Sequence, residues 1–223
     1  MRYDISMIAC LVFAAALAPR PIVTADPVTL IPTDDVWAYP HAGDPAHDSF
    51  LRVWGTDGRA AAKDAGELEQ FSYGFLQFDA SKLPDGKLTS AFLRVYNVSN
   101  PSFTLEQAKA APLQVRPIPG SFIEKTWQYS QTEKLMPPSE DKAVFGKTSP
   151  TALSDSTPMM IEVNLLKGPG DFAGFLASVK KSGKPLDIAL AAALEVTENR
   201  ASYKIYSRDA ERESLRPQLV ITY

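Results

Sequence analysis

Residues Tyr203–Tyr223 read YKIYSRDAERESLRPQLVITY. The first six alternate, and a side-chain period of two turns Lys204, Tyr206 and Arg208 to one face and Tyr203, Ile205 and Ser207 to the other. A charged run follows, and Gln218–Tyr223 then makes a second strand. Working outward, short alternating or apolar runs bounded by turn residues recur at Val28–Ile31, Val36–Tyr39, Phe50–Trp54, Phe71–Phe78, Thr89–Val98, Leu113–Ile118, Met160–Leu165, Ile188–Ala193 and Ser202–Ser207. Between two of them Pro84-Asp-Gly86 is turn chemistry, proline presetting φ and glycine tolerating a positive one. Ten strands with one helix predict an all-β fold, an antiparallel jelly-roll β-sandwich.

Tyr206, Ser207, Arg208, Arg216, Pro217, Leu219, Thr222 and Tyr223 stand in the order of the closing signature of the DNRLRE domain family. That group includes carbohydrate-binding module family 96, and the chain resembles it. Asp209 stands where the family usually has Glu. A second match is Phe78, Asp79, Ser81, Leu83, Pro84, Ser90, Ala91, Leu93, Arg94 and Tyr96, similar to the family's central block. Ile161–Leu166 resembles a third strand, with Asn164 in place of Thr, and Glu124–Trp127 a contracted form of another segment. The resemblance implies the sandwich and a ligand class, acidic polysaccharide such as alginate. A fold alone licenses no activity.

The first 25 residues read as a signal peptide: Arg2, an apolar run from Met7 to Ala18 too short to span a bilayer, and small residues at Val23–Ala25. Cleavage near Asp26 leaves residues 26–223 as one DNRLRE-like domain that is secreted, extracellular or periplasmic, with no membrane attachment. It removes Cys10, the one cysteine of the chain, so the mature domain holds no disulfide. It leaves 21 Lys and Arg against 25 Asp and Glu, a net charge of −4. A mildly acidic surface argues against nucleic acid, which needs a broad basic face.

The one expected helix starts after Asp171, a capping residue. Phe172, Phe175, Leu176 and Val179 form its stripe, Lys180 and Lys181 suit its C-terminal end, and Gly183 and Pro185 stop it. The stripe reads as a cover for one end of the sandwich. Asn97–Pro112 and Gln128–Pro158 read as additions to the core, loops of the kind that are functional or mobile. Asn97-Val-Ser99 is a glycosylation acceptor pattern.

Catalytic parts are sparse. The sequence has two histidines, no Gly-x-Ser-x-Gly and no phosphate-cradling glycine loop, so a non-catalytic protein is expected. His41, Asp44, His47 and Asp48 share one loop, which reads as a solvated loop rather than a metal signature. No cofactor is expected; a structural calcium is the one candidate ion, with Asp34 or Asp35, Asp79 and Asp209 as oxygen donors. Each is also an ordinary partner for a cation, Asp79 for Arg208 in particular.

Strand parity supplies the site hypothesis. If Leu93 and Val95 face the core, Phe92, Arg94 and Tyr96 face away; the same reading turns out Arg52, Gln114 and Arg116, and Lys204, Tyr206 and Arg208. Arg52, Arg94, Arg116, Lys204, Tyr206 and Arg208 are therefore the candidate ligand-binding residues. Guanidinium forks match carboxylates and aromatic rings stack on sugars, so the set suits an acidic polysaccharide. Cations and tyrosines also simply populate the wet side of antiparallel strands. The expected function is a secreted polysaccharide-binding module. The alternatives are an envelope or matrix adhesion protein whose partner is another protein, and a small polysaccharide-degrading enzyme.

Overall fold

The computed structural model describes residues 26–55, 71–192 and 202–223, so the signal-peptide expectation lies outside the described residues. Among the described residues eleven strands form two antiparallel sheets. They are β1 (Val28–Leu30), β2 (Asp34–Ala38), β3 (Phe50–Val53), β4 (Tyr73–Phe78), β5 (Ser90–Asn97), β6 (Leu113–Pro117), β7 (Gly146–Thr148), β8 (Met159–Asn164), β9 (Leu186–Ala191), β10 (Tyr203–Tyr206) and β11 (Gln218–Thr222). In the first sheet β5 is central. One edge of β5 carries β8; the other carries β11 against Ser90–Arg94 and β10 at Asn97, end to end. Beyond these, β1 pairs β11 and β3 pairs β10. The second sheet runs β2-β4-β9-β6-β7.

Alternation explains why the sheets stack. In β5 residues 91, 93, 95 and 97 are buried and 90, 92, 94 and 96 are half-buried. Leu93, Val95, Ile205 and Leu219 of the first sheet meet Leu76, Phe78, Val115 and Ile188 of the second in one apolar core. The second sheet is buried on both faces. Val36, Tyr73, Phe75 and Ala189 on its outer side pack under Ile118, Phe122, Trp127, Leu135 and Met136. The segment after β6 is therefore a strap with its own core, whereas the sequence suggests a loop there.

The predicted helix is present as Phe172–Ser182, with Asp171 Oδ1 accepting from Gly174 N at 2.8 Å and Gly183 ending it at φ 65°. Phe172, Leu176 and Val179 join the main core, and Lys180 reaches Pro84 O at 2.6 Å, closing one end of the sandwich. It is not alone. Leu105–Ala110 is α1, begun by a Thr104–Gln107 capping box, Thr132–Leu135 is α2, and the predicted helix is α3. Helix α1 packs Ala108 into the core, and Tyr203 Oη donates to Ala111 O at 2.9 Å. The addition between β5 and β6 is thus a second end cover.

Candidate functional site

Among the described residues one sheet face remains open. On the outer side of the first sheet Arg94 of β5 lies between Gln218 and Glu162, Phe92 between Val220 and Asn164, and Tyr96 opposite Met160. Across the neighbouring strands Lys204 faces Arg52 and Tyr206 faces Phe50. Because Ile205 is opposite Asn97, Tyr206 falls beside Tyr96. Phe50, Tyr206, Tyr96 and Met160 thereby form one row across β3, β10, β5 and β8, roughly 14 Å long at the usual strand spacing. Every member is partly or well exposed, Met160 at 53%.

The cations bordering this row differ in their commitments. Arg94 Nε donates to Glu162 Oε2 at 2.7 Å, a pair about one-third exposed on each side. Lys204 Nζ stands 4.0 Å from the centre of the Phe50 ring, which itself leans on Tyr206 at 4.6 Å. Its pKa is depressed, first by burial and then by Arg52, with Asp48 opposing. Arg52 puts Cζ 5.5 Å from the Trp37 ring, and its Nε is enclosed without a hydrogen-bond partner among the described residues. Trp37 is fixed behind it, its indole N–H donating to Ser72 Oγ, whose hydroxyl donates to Arg52 O at 2.7 Å.

Of the six residues read from strand parity, Arg52, Arg94, Lys204 and Tyr206 share this face. Arg116 does not. It points away from the inter-sheet core as parity requires, but the strap covers it to 2% exposure. Its Nε and Nη2 donate to Gln114 Oε1 at 3.0 and 2.7 Å, and Nη1 to Pro138 O at 2.6 Å. Arg208 also leaves the row. Its Nη1 donates to Thr33 O and, at 3.2 Å, to Glu124 Oε2, while its backbone N–H reaches Asp35 Oδ2 at 2.6 Å. Four residues of the face stand outside the sequence set: Tyr96, which parity had already turned outward, and Phe50, Met160 and Glu162. Phe50 was signalled by its place two before Arg52, whereas Glu162 belongs to a strand pairing no local pattern announces.

Of the candidate calcium donors, Asp35 and Asp209 lie together beside Glu124, whereas Asp79 is engaged in a turn. Asp79 caps a 3₁₀ turn, accepting from Ser81 N at 3.1 Å, with Lys82 at 3.7 Å. Glu124, not Asp79, is the partner of Arg208. Asp35 is enclosed beside Glu124 and Asp209, and burial pushes its carboxyl up to about 8. His47 Nδ1 pairs Asp44 at 2.9 Å in solvent. Among the described residues no group of three or more His, Cys, Asp or Glu could hold a metal ion. Asn97 is wholly buried, donating to Ser99 Oγ at 2.7 Å and accepting from Lys204 N at 2.9 Å, which excludes glycosylation of the folded chain. A cleft of about 610 Å³ between β4 and the end of α3 has Asp34, Asp79, Asp85, Lys180 and Lys184 in its wall but no aromatic ring.

No helix among the described residues is long and apolar enough to cross a membrane. Comparison of the chain with protein-family models and with curated proteins gave no match.

Proposed function

We propose that this protein is an exported, non-catalytic jelly-roll module, similar to the DNRLRE and family 96 carbohydrate-binding domains, that binds an acidic polysaccharide. The observation carrying the reading is the open face of the first sheet, where an aromatic row is flanked by Arg52, Lys204 and Arg94. Flat aromatic surface binds sugar rings by stacking, and nearby cations select those bearing carboxylates. The jelly-roll part is supported by strand order. From β3 onward, the first sheet runs β3-β10/β11-β5-β8 and the second β4-β9-β6-β7, so consecutive strands cross between sheets except from β6 to β7, which pair across the strap, and from β10 to β11. Two such interleaved four-strand orders are what a pair of Greek keys produces.

The test is affinity electrophoresis of the purified chain through gels containing alginate, pectin, a neutral glucan or chitin, at two salt concentrations. Retardation by the two uronates that weakens with salt is the expected result. Mobility unchanged in every gel overturns the reading and leaves protein-mediated adhesion as the function to pursue. Product release from any of the four would instead make the chain an enzyme.

A further inference from the structure

The open face pairs two cations that have every physical reason to avoid each other. Lys204 and Arg52 are directly opposite on adjacent strands, and like charges at that position destabilise a sheet. Arg94, Arg116 and Arg208 are each compensated, by Glu162, by Gln114 with strap carbonyls, and by Glu124. Lys204 and Arg52 have no carboxylate within ion-pair distance among the described residues. The nearest acid influence is Asp48, whose Oδ1 already accepts the Phe50 N–H at 3.1 Å. An enclosed guanidinium N–H without a partner is a second, independent sign, because such a donor costs stability unless something accepts from it. A ring platform adjoins the pair, since Lys204 Nζ lies 4.0 Å from the Phe50 ring and Tyr206 touches that ring.

We infer that Arg52 and Lys204 form the anion seat of this protein, which takes the carboxylate of a uronic-acid residue whose ring rests against Tyr206 and Phe50. The carboxylate relieves the repulsion between the two cations and accepts from the guanidinium edge. A uronate fits better than a free small anion because the platform and the seat are contiguous, so one sugar satisfies both. The inference rests on the polysaccharide-binding reading for its ligand, but the seat can be tested apart from it. It also ranks the cations: Arg94, held by Glu162, contributes little selectivity by comparison.

The deciding experiment is NMR observation of the Arg52 Nε–H and Lys204 side-chain signals while the full chain is titrated with galacturonate oligomers, neutral glucan oligomers and inorganic sulfate. The expected result is a saturable shift of both signals with the uronate, tenfold weaker or absent with the other two. Arg52→Gln and Lys204→Gln should each weaken uronate binding about tenfold and flatten its salt dependence, whereas Arg94→Gln changes it less than threefold. Both seat variants should fold with melting temperatures at or above that of the parent, because each removes a repulsion, which separates lost binding from lost structure. Equal response to sulfate overturns the carboxylate assignment. Silent Arg52 and Lys204 signals overturn the seat, even where polysaccharide gels still retard the protein and the broader reading stands. Conversely, shifted signals without retardation in any gel keep the seat and overturn the polysaccharide function.

Discussion

At the scale of the residue, the same strand parity gives a surface cation in one place and a structural one in another. Arg94 and Arg116 both point away from the inter-sheet core, yet only Arg116 is sealed beneath the strap. Arg116→Ala leaves the buried Gln114 Oε1 unpaired and takes a donor from the partly buried carbonyls of Pro138 and Glu140. A loss of about 3 kcal/mol is expected by urea unfolding, with uronate affinity of the folded protein unchanged. Alternation was legible for both arginines; the cover over one of them was not, because it comes from residues more than twenty positions away. Asp35 carries a pH prediction. Its folded pKa is raised by burial from 3.8 to about 8, against the Arg208 N–H that favours its charged form. Between those values the folded state holds a proton that the unfolded state has released, so stability falls as pH rises across the window and levels off above it. Asp187, pushed up to about 6 by burial, adds the same sign over the lower part, and Glu124 is raised too. Asp35→Asn keeps an acceptor for Arg208 N while removing the titration. Melting temperature measured from pH 5 to pH 8 should therefore decline less steeply in the variant than in the parent; equal slopes sink the assignment.

At the scale of the element, what could be read from sequence was what repeats. Helix α3 was legible because its cap, stripe and left-handed stop are all local, and the other ten strands because alternation or an apolar run is local too. Strand β7, Gly146-Lys-Thr148, is three residues long with no apolar side chain to mark it, unlike the equally short Val28–Leu30, and its glycine is demanded by contact with another strand. A Cβ there would meet Asn164 O at 2.3 Å and Val163 Cγ1 at 2.9 Å, so Gly146→Ala should cost about 2 kcal/mol or more in urea unfolding. The strap was misread as a loop for a similar reason. Its anchors Phe122, Trp127, Leu135 and Met136 follow no single spacing, and the polar, proline-bearing stretch between them hides their common destination. Trp127 makes edge contacts with Phe75 at 5.8 Å and Phe122 at 6.1 Å. Trp127→Ala should destabilise by about 3 kcal/mol and admit protease within the strap before the sheets are cut.

At the scale of the whole molecule, the strap and the end helices make the protein one-sided. Helix α1 and helix α3 cover ends of the sandwich, the strap covers the outer face of the second sheet, and the outer face of the first is left to solvent. A ligand bound there should be felt by the β8-β5-β10/β11-β3 sheet and not by the strap. Binding that favours the folded state raises stability by about 2.7 kcal/mol at a hundredfold excess over Kd, roughly 5–10 °C in melting temperature for a domain of this size. Uronate oligomers at that excess should produce such a rise, with slowed amide hydrogen exchange confined to β3, β5 and β10. Neutral glucan oligomers should produce neither. The rise should vanish in Tyr206→Ala, which removes the platform, and persist in Arg116→Ala, whose lower starting point does not affect the increment. A rise accompanied by protection of the strap instead would move the binding surface to the covered side of the second sheet.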